Sequence, residues 1–124
     1  MSEGAARILV VEDEEAVRNL IVAVLSRAGY TPVPTADAAR ALDVLDRDEI
    51  DLVLLDLHMP GPADGEDLLF LLRDRGDEVP IIIVSGFVDD DTADRHPDCV
   101  HAVIKKPIRI ESFLDTIAEV LSLA

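Results

Sequence analysis

The chain has 124 residues and is 49% hydrophobic, enough for one domain with a sizeable core. It carries 11 Lys and Arg against 26 Asp and Glu, a net charge of −15. That balance opposes the basic footprint of a nucleic-acid binder and disfavours anionic lipid, so neither partner is expected. Cys99 is the single cysteine, which excludes an internal disulfide or a cysteine-rich metal site and suits a cytoplasmic protein. No apolar run approaches the ~20 residues of a membrane span. The N-terminus runs from a short apolar stretch straight into acids, unlike a signal peptide.

Arg7 to Val11 is a β-rich apolar run without alternation, the pattern of a strand buried on both faces. It ends in Glu12-Asp13-Glu14-Glu15. Val17, Leu20, Ile21, Val24, Leu25 and Ala28 recur at three- and four-residue steps, which predicts an amphipathic helix with those residues inward. Gly29 is placed to close it as the C′ residue. Tyr30 to Pro34 reads as a short strand, and its prolines assign it to a sheet edge. Asp37 to Leu45 reads as a helix with Ala38, Ala41, Leu42 and Leu45 inward.

Leu52 to Asp56 is the central strand: four apolar residues, then a carboxylate at the C-terminal end. A carboxylate there has to be paired or used, because leaving it buried and alone costs several kcal/mol, on the order of 2–7 even for a neutral polar group. Met59-Pro60-Gly61-Pro62 ends the strand in a stiff loop. Gly65 to Arg75 reads as a helix ended by Gly76. Its run Leu68 to Leu72 is apolar for longer than one buried face requires, so a partner surface is expected there, with packing under the preceding loop as the alternative. Ile81 to Val84 is a fourth buried strand, followed by Ser85-Gly86. Residues 87 to 99 are acidic with little periodicity, and any helix within 89 to 97 should be short, stopped by Pro97. Val100 to Ile104 is a fifth strand ending in Lys105-Lys106-Pro107. Ile110, Phe113, Leu114, Ile117 and Leu121 give a last amphipathic helix.

Strands alternating with helices predict a parallel α/β sheet with right-handed crossovers, here a flavodoxin-like three-layer sandwich with strand order 2-1-3-4-5. Such sheets bind ligands beyond the C-terminal strand ends, where the order reverses between strands one and three. That rule, which takes no account of side-chain chemistry, selects Asp13 and Asp56.

Four strand ends then converge with Glu12-Asp13, Asp56, Ser85 and Lys106. Three carboxylates in one cleft repel one another unless a cation sits among them. Oxygen ligands without His or Cys rings favour Mg²⁺ over zinc. A lysine supplies a point charge for a phosphate, and a hydroxyl can donate to it. Phosphoryl transfer needs mainly positioning and charge neutralisation, and a carboxylate can itself accept the group as an aspartyl phosphate.

With these pieces in place the chain resembles a response-regulator receiver domain of two-component signalling, from Ile8 to about Leu121. The matching pieces are Val10-Val11-Glu12-Asp13, Leu54-Leu55-Asp56-Leu57-His58-Met59-Pro60, Asp64-Gly65, Ile83-Val84-Ser85-Gly86 and Lys106-Pro107. Any one is weak, but five in order on the right strand ends are specific. The resemblance implies that Asp56 accepts the phosphoryl group. It implies Mg²⁺ on Asp13, Asp56 and the backbone carbonyl of His58, with Glu12 near the metal through water. Ser85 takes the hydroxyl role and Lys106 pairs with the phosphoryl group, while Lys105 faces solvent. It further implies a single receiver domain over 1–124, with its core at about 7–122, and a histidine kinase or phosphotransfer protein as donor. The domain would assist its own phosphotransfer and dephosphorylation without turning over an external substrate.

Three departures stand out. The loop before Asp64-Gly65 is one residue longer than the commonest form. Ser85 stands where threonine is common. Val103 occupies the position three before Lys106 that usually holds Tyr or Phe, which removes the family's usual aromatic switch. A pseudo-receiver that signals without phosphate is the alternative function. A phosphoaspartate hydrolase of another fold is disfavoured, because those enzymes carry a second acid two residues after the nucleophile, where this chain has His58.

Overall fold

The computed structural model describes residues 5–56, 65–76, 78–86 and 100–123. Five strands form one parallel sheet: β1 (Arg7–Val11), β2 (Thr31–Thr35), β3 (Leu52–Leu55), β4 (Ile81–Ser85) and β5 (Val100–Lys105). Their spatial order is β2-β1-β3-β4-β5, as expected, with the Pro32- and Pro34-bearing strand at one edge. Four helices are described: α1 (Glu15–Arg27), α2 (Ala38–Arg47), α3 (Gly65–Asp74) and α4 (Ile110–Leu123). The segment 87–99, where a short helix is expected, lies outside the described residues.

The unalternated apolar runs explain the layering. Along β1, β3 and β4, Leu9, Val11, Val53, Leu55, Ile81 and Ile83 join one core cluster with residues of α2 and α3. Ile8, Val10, Leu52, Leu54, Ile82 and Val84 join a second cluster with residues of α1 and α4. Each strand is therefore apolar on both faces because each face meets helices.

The helix termini follow local chemistry. Asp37 caps α2 by accepting a hydrogen bond from the Arg40 N–H at 2.8 Å. Gly29 follows α1 at φ +94°, a left-handed conformation that glycine adopts without penalty.

Three inward assignments need correction. Leu20 is 45% exposed, while Ile21, Val24 and Leu25 form the buried stripe. At 100° per residue Leu20 lies roughly 90° around α1 from the centre of that stripe. Ala28 is exposed because it stands at the C-cap, past the last helical turn. In α4 the buried residues are Phe113, Ile117 and Val120, whereas Ile110 opens the helix 51% exposed. In α2, Val44 is buried with Ala38 and Ala41, and Leu42 and Leu45 are only partly covered. In α3, Leu68, Leu69 and Leu72 are buried, while Phe70 and Leu71 stand 54% and 41% exposed. The surplus apolar residues of α3 are therefore on its outer side.

Candidate functional site

The strand ladder runs one residue past the ends of β1 and β3. The Glu12 N–H donates to the Thr35 carbonyl at 3.1 Å, and the Asp56 N–H donates to the Val11 carbonyl at 3.0 Å. Thr35 is itself fixed, its hydroxyl donating to the Val10 carbonyl at 2.9 Å. The backbone of both acids is thus pinned by the sheet. Glu12 and Asp56 are buried, at 1% and 4% exposure, and Asp13 is partly exposed beside them.

Glu12, Asp13 and Asp56 each offer a carboxylate oxygen, all within 4.8 Å of one another. Lys106, one residue past the end of β5, brings the balancing charge. Its Nζ lies 2.7 Å from Glu12 Oε1 and 3.3 Å from Asp56 Oδ2. The contact to Glu12 is a close ion pair, so the buried Oε1 is already engaged by the lysine. The other Glu12 oxygen accepts from the Glu14 N–H at 3.2 Å.

Burial pushes the Glu12 carboxyl up to about 6, opposed by Lys106 and the Glu14 N–H and reinforced by the charge on Asp56. Burial alone would lower the Lys106 ammonium, but Glu12 and Asp56 outweigh it and its pKa is raised. With all groups ionised, three carboxylates face one ammonium. Three carboxylates against one ammonium, offering only oxygen donors, fit a hard divalent cation such as Mg²⁺.

The model of the response regulator receiver domain matches residues 8–118. The chain belongs to the receiver domain family. It is 36% identical over 121 residues to the sensor kinase CckA of Brucella abortus, covering 95% of this chain and 13% of that protein. It is 32% identical over 118 residues to the response regulator protein FleR of Pseudomonas aeruginosa, covering 92% of this chain and 24% of that protein. The chain thus spans only a small part of these relatives. Among solved structures, a CheY-like receiver domain from Methanospirillum hungatei superposes with TM-score 0.86 at 25% identity, covering 95% of this chain and 94% of that one.

Within this receiver fold, Glu12, Asp13, Asp56 and Lys106 converge as the motifs imply. Ser85 closes β4 in register with Lys105, and its side chain lies outside the described part. His58 lies outside the described residues. Lys105 and His101 are exposed. Val103 is partly buried against the cluster that includes α2 and α3, and it lines a groove of about 480 Å³ with Lys105, Lys106, Pro107 and Arg109. No described helix is long and apolar enough to cross a membrane.

Motif reading alone missed Arg18. Its guanidinium Nη1 donates to the Glu12 carbonyl at 3.0 Å and reaches the Asp13 carbonyl at 3.4 Å. The available signal was a cation one turn into the helix that follows the acidic loop.

Proposed function

We propose that this receiver domain takes a phosphoryl group from a phosphohistidine onto Asp56. The observation that carries this reading is the placement of Lys106 Nζ between Glu12 and Asp56, at 2.7 and 3.3 Å, with Asp13 beside them. A carboxylate oxygen of Asp56 forms the new O–P bond as the N–P bond breaks, and the imidazole leaves with the electron pair. Lys106 holds a cation where negative charge collects on the transferred group. Its raised pKa keeps it protonated throughout the physiological range.

Asp13, Asp56 and the backbone carbonyl of His58 would hold Mg²⁺, with Glu12 acting through water. The bound ion would supply neutralisation of the phosphoryl oxygens. Glu12 keeps the base of the site acidic and, through Oε1, holds Lys106 in place. Ser85, at the end of β4, would present its hydroxyl to the phosphoryl group. The whole chain, 1–124 with a core at about 7–122, would act as one cytoplasmic receiver unit, served by a histidine kinase or phosphotransfer protein. It would assist its own phosphorylation and dephosphorylation without being a turnover enzyme.

Titration with beryllofluoride and Mg²⁺ tests this reading. Saturable amide shifts should appear at residues 12, 13, 56 and 106, and vanish in Asp56→Asn. Absence of those shifts in the wild-type protein would favour the pseudo-receiver alternative.

A further inference from the structure

Two of the three acids of the site, Glu12 and Asp13, hang on a loop, residues 12 to 14, between β1 and α1. Three backbone donors hold it: Glu12 N–H to Thr35 O at 3.1 Å, Glu14 N–H to Glu12 Oε2 at 3.2 Å, and Arg18 N–H to Glu14 O at 2.9 Å. None of these engages the carbonyls of Glu12 and Asp13. Among the described residues, the partner of both carbonyls is the Arg18 side chain. Helical side chains lean toward the N-terminus of their helix, so an arginine one turn into α1 can reach back over this loop.

The choice of partner is informative. A guanidinium that reaches the backbone of Glu12 and Asp13 has an electrostatic reason to pair with a carboxylate there. Among the described residues Arg18 makes no ion pair with any carboxylate, and its Nη1 goes to the backbone instead. Glu12, Asp13 and Asp56 each keep one carboxylate oxygen within 4.8 Å of the others, and Lys106 pairs with Glu12 and Asp56.

We propose that Arg18 is a positioning residue for the cation site, acting through the backbone of Glu12 and Asp13 rather than by touching the ion. By holding the two carbonyls it fixes the peptide planes from which Glu12 and Asp13 project, and so the aim of Asp13 at its shared ion with Asp56. This rests on the cation reading given above. Residues that orient ligands typically change metal affinity by about 10–100-fold when lost.

The proposal has a sign that separates it from simple electrostatics. Removing a cation near an acidic cluster strengthens Mg²⁺ binding if charge alone matters. Losing a positioning residue weakens it. Mg²⁺ titrations of the ¹⁵N-labelled chain, read by amide shifts, should be run for wild type, Arg18→Lys and Arg18→Ala, with thermal unfolding of each in EDTA. The expected order is wild type tightest, Lys about three-fold weaker, and Ala about ten-fold weaker. Lys keeps the charge but not the planar fork, so its loss reports geometry. Equal or tighter Mg²⁺ binding by the Ala variant overturns the proposal, as does a lowered unfolding temperature with unchanged Mg²⁺ affinity. If the Ala variant does not fold, the Lys variant decides: weaker binding at unchanged charge supports the proposal, and equal binding overturns it. Wild-type chain without saturable shifts around Asp13 and Asp56 overturns the cation reading itself, and this inference with it.

Discussion

Replacing Glu12 by glutamine should abolish a loss of stability that the wild-type chain suffers as pH rises. Burial pushes the Glu12 carboxyl from 4.5 in the unfolded chain to about 6 in the folded one. A folded pKa above the unfolded value means that the protonated acid favours the fold. The contribution is fully present below pH 4.5 and is lost as pH rises through about 6. At 1.36 kcal/mol per pH unit, the raised pKa corresponds to about 2 kcal/mol in total. Urea unfolding in EDTA at pH 4.5, 6 and 7.5 measures it. Subtracting the variant's stability from the wild type's at each pH cancels the other acids. The difference should fall by about 1.5–2 kcal/mol between pH 4.5 and 7.5, most of it by pH 6.5. Lys106 does not interfere, since it titrates far above this window. A difference that stays flat, or rises with pH, would refute the claim that burial dominates over the lysine at Glu12.

The other predictions concern the same cleft and its support. Lys106→Met should destabilise the chain by about 3–5 kcal/mol at pH 7.5 in EDTA, because Glu12 and Asp56 lose their shared cation in a buried place, and by less at pH 5, where Glu12 protonates; urea titration at both pH values checks this. Mg²⁺ affinity should fall more for Asp13→Asn than for Glu12→Gln, since a direct ligand supplies both charge and geometry; calorimetric titration giving the opposite order would mean that the two roles are exchanged. Leu55→Ala removes a fully buried side chain one residue before Asp56, and should cost about 2–5 kcal/mol by urea unfolding.

The layering of the fold was legible because β1, β3 and β4 lack alternation, and a strand apolar on both faces has one home. The edge position of β2 followed from Pro32 and Pro34, which cannot donate to a ladder. Helix faces were less legible. An apolar stripe spans a wide arc, and periodicity alone does not say which of its margins meets the sheet. Leu20 and Ile110, inward by periodicity, therefore stand exposed. The site was legible at the level of residue identity, since Glu12, Asp13, Asp56 and Lys106 sit at strand ends and topology brings strand ends together. Its electrostatics were not. That Glu12 is the more buried acid, closest to Lys106, depends on a side-chain direction no pattern encodes. Arg18 escaped for a similar reason: its partners are backbone carbonyls, which every residue carries.

The central claim is that Asp56 is the phosphoryl acceptor. Intact-mass measurement after incubation with acetyl phosphate and Mg²⁺ tests it most directly. The wild-type chain should gain one phosphoryl group, and Asp56→Asn should gain none under the same conditions. Uptake by the Asn variant at the wild-type rate would contradict the account.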